Sequence, residues 1–251
     1  MSAGPKPLDA AVAYNRLAQR IVAALTVPTR RGHLYEVDLR LRPGGGQGSV
    51  ATQFRSFRAY QGEEAEPWEH MALSRARVIA GDAGLAAEAT AVVREALMQT
   101  RDPDSVNREV RAMRALVAKE KGDDGALDLK LAPGGLLDLD FLAQALVLGH
   151  AADLPDLIGL DAPAVFRLAS EHDLMAAGDC EALVAAYRLL DDVHHWQRLM
   201  VEGDPAKAGP VALARLARAV NLPDARALET GLEAQRRAVR GLCDRLLRGK
   251  H

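Results

Sequence analysis

Residues 33–43 read His-Leu-Tyr-Glu-Val-Asp-Leu-Arg-Leu-Arg-Pro and carry the first group of side chains that could do chemistry. Side chains of a strand point alternately to opposite faces, so Asp38, Arg40 and Arg42 share one face and the apolar residues share the other. Asp38 offers hard oxygen ligands to a divalent cation, and the two arginines offer planar donors to phosphate. The pattern predicts a strand, and on periodicity alone it favours a solvated sheet face with weak cross-strand ion pairs; a phosphate-and-metal face is the alternative.

A second group follows Pro67, which predicts the first turn of a helix because its missing N–H donor costs nothing there. Arg75 falls within the apolar arc of this helix and should therefore need an anionic partner, unless its head reaches water beyond the arc. Glu69 and Arg77 lie on another side, where they either bracket a polar ligand or lie at the surface. The apolar arc consists of Trp68, Met71, Ala72, Ala76 and Ile79.

A third group surrounds a Gly134-Gly135 pair. The alternation of residues 127–131 predicts a strand, the two glycines a turn, and the following residues a helix start. Asp138 and Asp140 then lie in the first helical turn, where the helix dipole favours carboxylates. Asp138 shares a stripe with apolar residues, so we expect it to be buried against a cationic partner, either Lys130 or an arginine of residues 75–77.

The elements that position these groups are mostly helical. We predict a helix over residues 8–25, a strand over 33–43, and a glycine hairpin leading to a short strand over 49–53. Helices follow over residues 54–61, 85–99 and 104–121, with Asp102 or Asp104 as the cap of the last. From residue 141 onward, four or five helices should form a bundle. The expected fold class is α+β, predominantly α, with a small sheet.

Composition restricts the function. The 251 residues are 49% hydrophobic, carry a formal charge of -2 and include 4% aromatic residues, which disfavours non-specific nucleic-acid binding and base stacking. Two distant cysteines predict reduced thiols, and the adjacent His194 and His195 cannot share a helix face to bind zinc. Without an apolar run long enough to cross a membrane, the expected partners include no membrane and the expected compartment is the cytoplasm.

Three separated motifs in this order carry a family resemblance. They are residues 34–43, Trp68-Glu69-His70 with Arg75-Ala76-Arg77, and Lys130 with the Gly-Gly-Leu-Leu-Asp-Leu-Asp-Phe run of 134–141. Together they resemble glutamine synthetase adenylyltransferase, the bifunctional adenylylating and deadenylylating enzyme, over about residues 7–247. The second motif is more similar to the C-terminal, adenylylating half of that family than to the N-terminal half.

The resemblance implies a partial nucleotidyltransferase domain of the polymerase-beta type over residues 1–122, followed by a helical bundle domain over 123–251. It implies transfer of AMP from ATP to a tyrosine of glutamine synthetase with Mg²⁺, under control of a PII signalling protein and glutamine. By the same resemblance Asp38 is the third carboxylate of a metal-binding triad, and Asp38, Arg40 and Arg42 are catalytic. The residues implied to bind the nucleotide or brace the site are Glu69, Arg75, Arg77, Lys130, Asp138 and Asp140.

One departure from the family pattern concerns its first active-site element, a Gly-Ser followed by Asp-x-Asp. The sequence lacks this element, since Gly48-Ser49 is followed by no such pair. Transfer through two metal ions needs several carboxylates around the phosphates. We therefore expect the chain alone to bind Mg-ATP weakly and to transfer no AMP. The alternative function is a catalytically incomplete fragment or interaction module that binds glutamine synthetase or a PII-type regulator.

Overall fold

The computed structural model describes residues 9–30, 32, 34–45, 48–121, 125, 127–201 and 208–248. These residues form α-helices joined by turns, with one 3-10 turn at Pro155–Leu157. The helices are α1 (Ala10–Thr26), α2 (Phe54–Glu63), α3 (Pro67–Leu73), α4 (Ala83–Leu97), α5 (Pro103–Lys121), α6 (Leu136–His150), α7 (Ala162–Glu171), α8 (Ala177–Met200), α9 (Pro210–Ala219) and α10 (Ala225–Leu246).

The predicted small sheet is wrong for the part of the chain that the structure describes, which is helical and contains no strand. Residues 35–40 have no regular secondary structure, and His33 lies outside the described residues. Leu34, Tyr35 and Leu41 are exposed, so the apolar side of this segment is not a core face. The physical reason is that a strand needs a neighbour to pair its N–H and C=O groups, and a single alternating segment does not supply one.

The strands predicted for residues 49–53 and 127–131 are likewise replaced by bends and turns. In the second of these segments the backbone pairs with the start of α6: Leu136 N–H donates to Leu129 C=O at 2.8 Å, and Leu137 N–H donates to Lys130 C=O at 3.0 Å. The chain therefore folds back at the two glycines. Gly134 has a φ of +80°, and a Cβ there would overlap the backbone of Arg236, so the position requires glycine.

The predicted helices are present, with shifted ends. Helix α3 begins at Pro67 as predicted but ends at Leu73, so the apolar arc predicted through Ile79 is wrong in its second half, where Ile79 is 85% exposed. Asp102 caps α5, because its carboxylate accepts a hydrogen bond from Ser105 N–H at 3.1 Å. The bundle of five helices after residue 135, α6 to α10, confirms the prediction for the C-terminal part.

The contacts divide the chain into two units. Unit 1 comprises residues 1–69 and 78–96, and in it α1 has no buried residue. Unit 2 comprises residues 70–77 and 97–251, with α6 at its centre in contact with α5, α7, α8 and α10. Helix α6 buries nine residues because its sequence is apolar nearly all round. Among the described residues no helix is long and apolar enough to span a membrane.

Candidate functional site

Asp38 and Arg40 form an ion pair with each other within unit 1. Arg40 Nη2 lies 2.6 Å from Asp38 Oδ2, and Arg40 Nε lies 3.0 Å from each carboxylate oxygen. The Arg40 backbone N–H also donates to Asp38 Oδ1 at 2.9 Å. These hydrogen bonds from Arg40, its side chain first, lower the pKa of Asp38 to about 2. Both side chains are more than half exposed, so the pair lies at the surface of the unit.

Arg42 contacts the backbone of its own turn. Its Nε donates to Gly48 C=O at 3.1 Å, and its Nη1 donates to Leu39 C=O. The guanidinium therefore links the backbone of Leu39 to that of Gly48. In this arrangement the planar donors of Arg42 stabilise the local chain.

The described residues do not supply the set of ligands that Mg²⁺ needs. Within the described ranges there is no group of three or more His, Cys, Asp or Glu side chains that could hold a metal ion. Asp38 is a single carboxylate whose two oxygens already accept hydrogen bonds from Arg40. Mg²⁺ requires near-octahedral oxygen ligation, so these residues do not fit a magnesium centre by themselves.

Glu69 braces the N-terminus of α3. Its carboxylate accepts hydrogen bonds from the Tyr60 hydroxyl at 2.8 and 2.9 Å and from Glu66 N–H at 2.9 Å. Burial, and then the neighbouring Glu69 carboxylate, raise the pKa of Tyr60 to about 12. Glu69 thereby links α2 to the first turn of α3 within unit 1.

Arg75 has an anionic partner, as predicted, although it follows the end of α3 instead of lying within a helical arc. Its Nη1 lies 2.7 Å from Asp140 Oδ2, and both residues belong to unit 2. The Asp140 side chain is 20% exposed, and burial raises its pKa more than the nearby Arg75 and Lys130 charges lower it. Lys130 and Arg77 are exposed. A cavity of about 60 Å³ adjoins the pair and is lined by Tyr187 of α8.

Asp138 is buried, as predicted, but the predicted partners are wrong. Its carboxylate pairs with Arg114 Nε of α5, accepts a hydrogen bond from Gly134 N–H at 2.7 Å, and lies 3.6 Å from Arg240 Nη1 of α10. Neighbouring helix residues are about 100° apart, so Asp138 and Asp140 lie on opposite sides of α6. Asp138 therefore faces α5 and α10, whereas Asp140 faces Arg75.

Three arginines that contact the Gly-Gly-Leu-Leu-Asp motif and the residues next to it were not identified from the sequence: Arg114, Arg236 and Arg240. Arg114 also donates to Leu131 C=O at 2.9 Å, and Arg236 donates to Gly125 C=O at 2.7 Å and to Pro133 C=O at 3.4 Å. A signal existed for Arg236, which lies on the apolar stripe of α10. Arg114 lies one helical turn after the buried Val110 of α5, and an arginine on the apolar side of a helix should need an anionic partner.

The structure thus joins some of the predicted site residues and leaves others apart. It pairs Asp38 with Arg40 in unit 1, and Arg75 with Asp140 in unit 2. Asp138 belongs to a different cluster on the opposite side of α6. Their catalytic and nucleotide-binding roles stay predictions.

Comparison with known proteins decides the family. The model of the glutamate-ammonia ligase adenylyltransferase family matches residues 1–92, and that of the GlnD PII-uridylyltransferase family matches residues 108–247. A bifunctional glutamine synthetase adenylyltransferase/adenylyl-removing enzyme of Xanthobacter autotrophicus is 42% identical over 248 residues, which is 98% of this chain. The chain belongs to the glutamine synthetase adenylyltransferase family. Enzymes with the same name from Mesorhizobium japonicum and Bradyrhizobium diazoefficiens are 44% and 40% identical over 250 residues each.

The chain spans about a quarter of the length of these adenylyltransferase relatives, since each match covers 25% of the relative and 98 or 99% of the chain. The family match therefore extends across both units. It confirms the resemblance drawn from the three motifs, because every motif lies within the matched length.

Proposed function

We propose that this chain forms part of an enzyme that transfers AMP from ATP to a tyrosine of glutamine synthetase, with Mg²⁺ as the ion that accompanies ATP. The observation that carries the proposal is the identity of about 40% over nearly the whole chain to enzymes named for this transfer. In the reaction the tyrosine oxygen bonds to the α-phosphorus of ATP, the bond to the β-phosphate breaks, pyrophosphate leaves, and the tyrosine proton passes to a base or solvent.

The proposed roles within this chain follow the motifs. Asp38 would supply one of the several oxygen ligands that the metal needs, and Arg40 and Arg42 would contact phosphate once released from their present partners. Glu69, Arg75, Arg77, Lys130, Asp138 and Asp140 would bind the nucleotide or brace its site. The Arg75–Asp140 pair supports a bracing role, because it fixes the segment after α3 to the N-terminal half of α6.

Regulation and organisation belong to the same proposal. A PII signalling protein is proposed as a regulator, with support from the PII-uridylyltransferase match over residues 108–247. The nearer likeness to the adenylylating half, the domain boundary between residues 122 and 123, and the cytoplasmic location stay predictions.

A chimera tests the proposal. This chain replaces the matching quarter of the Xanthobacter autotrophicus relative, and AMP transfer from labelled ATP to glutamine synthetase is measured with Mg²⁺. We expect the chimera to label glutamine synthetase, and the same chimera with Asp38→Ala to lose the label. A chimera with the helix content of the parent enzyme but no labelling would contradict the proposal.

The interaction module remains the second candidate, and α1 favours it. This helix has no buried residue, and its Tyr14, Leu17 and Ile21 are exposed at helical spacing. The chain alone, incubated with labelled ATP, Mg²⁺ and glutamine synthetase, is expected to transfer no AMP. Co-purification with glutamine synthetase that a Leu17→Glu variant abolishes would support the module, whereas stoichiometric labelling by the isolated chain would refute it.

A further inference from the structure

A cavity of about 210 Å³ lies in unit 2 where α5 and α10 flank α6. It is on the side of α6 that Asp138 faces, away from the Arg75–Asp140 pair. Its volume is below the roughly 300 Å³ at which drug-sized ligand sites begin. The cavity is therefore suited to a small group rather than to a nucleotide.

The charged lining of this cavity is predominantly positive. Four arginines and two aspartates contribute to it, which leaves an excess of two positive charges at neutral pH. The Cys243 thiol adds none, because burial raises its pKa to about 12. The charged residues are Arg111, Arg114, Arg240, Arg248, Asp138 and Asp244.

The two aspartates are already neutralised by arginines within the cavity wall. Asp138 pairs with Arg114, and Asp244 accepts a hydrogen bond from Arg240 Nε at 3.1 Å. Arg111 and Arg248 are exposed and form no ion pair with the described residues, so they supply the excess charge at the solvent end.

Arg114 provides an independent observation. Its side chain is 7% exposed, its Nε binds Asp138 and its Nη2 binds Leu131 C=O. Its Nη1 is buried and has no hydrogen-bond partner among the described residues. A buried guanidinium donor without an acceptor is costly, so an acceptor in the adjoining cavity would relieve it.

We propose that this cavity binds a small oxyanion, a phosphate or carboxylate group, with Arg114 at its inner end and Arg111 and Arg248 at its solvent end. Guanidinium groups hold such oxygens by charge-assisted hydrogen bonds. The proposal does not depend on AMP transfer, since the residues involved lie outside the proposed nucleotide contacts except for Asp138, which is already paired.

Calorimetric titration of the 251-residue chain tests the site, with inorganic phosphate and acetate in separate arms and sodium chloride at equal ionic strength as the reference. We expect saturable binding in at least one arm; phosphate alone identifies a phosphate site and acetate alone a carboxylate site. The variant with both Arg111→Gln and Arg248→Gln should bind about tenfold more weakly. Arg237→Gln removes an exposed arginine of α10 outside the cavity and should leave the affinity unchanged.

No saturable binding in either arm would overturn the proposal and leave a water-filled cavity. Equal weakening by Arg237→Gln and by the double variant would also overturn it, because the anion would then respond only to surface charge. A second measurement uses the guanidinium NMR signal of Arg114, which is expected to shift on binding of the anion, at about tenfold higher anion concentration in the variant with both Arg111→Gln and Arg248→Gln than in the wild type. Binding without that shift would contradict the assignment of Arg114 to the site.

Discussion

Replacement of Asp138 by asparagine should destabilise unit 2 more than any exposed charge substitution. The change keeps the shape of the side chain but leaves Arg114 charged and buried without its counter-ion. Removing one partner of a buried ion pair costs about 3–5 kcal/mol. We expect the lower end, about 3 kcal/mol, because the amide oxygen can still accept one hydrogen bond from Gly134 N–H. The ratio of folded to unfolded protein should fall by roughly two orders of magnitude.

Trp196 makes the measurement specific to unit 2. The chain has two tryptophans, and Trp68 lies in unit 1, so a Trp68→Phe background leaves Trp196 to report urea unfolding of the bundle. Helix content by circular dichroism provides the second probe. Arg114→Met should also lower the stability of unit 2. The combined Asp138→Asn and Arg114→Met variant should lose less stability than the sum of the two single losses, because the buried Arg114 charge is then absent as well.

A loss under about 1 kcal/mol for Asp138→Asn would refute the buried-pair reasoning, since that is the range of exposed pairs. Additive losses of stability in the combined Asp138→Asn and Arg114→Met variant would refute direct coupling between Asp138 and Arg114. Arg237→Gln serves as the matched control, because it removes an exposed arginine of α10.

Two further predictions follow from the same unit. Partial burial, and then the Asp140 charge, raise the pKa of Tyr187 to about 12. In a spectrophotometric titration Tyr187 should therefore ionise above the ordinary pKa of 10.0, and the Asp140→Asn variant should lower its pKa. An unchanged Tyr187 pKa in that variant would contradict the coupling between the two side chains. The raised folded-state pKa stabilises the protein below pH 10 relative to higher pH, and this contribution is lost as the pH rises towards 12. Asp102→Ala should lower the stability of unit 2 by about 1 kcal/mol through loss of the α5 cap, whereas Asp104→Ala should have a smaller effect in the same urea titration.

The sequence by itself determined the helices and the family. Helical periodicity, Pro67 and the Asp102 cap are local signals, and local signals act without knowledge of the rest of the chain. The three motifs indicated the adenylyltransferase family because residue identity and order carry that information directly. Arg75 does have the anionic partner that was predicted, but it lies after the end of α3, so the helical arc that motivated the prediction is not the reason for the pair.

Only the tertiary structure decided which charges meet and whether the alternating segments pair. Residues 34–43 alternate as a strand does, but strand formation depends on a partner elsewhere in the chain, and the described residues provide none. Asp138 and Asp140 are two positions apart in the sequence, yet α6 directs one to Arg114 and the other to Arg75. The packing of α5 and α10 against α6 brings Arg114 and Arg240 to Asp138 and forms the arginine-lined cavity, whose residues lie up to more than a hundred positions apart in the sequence.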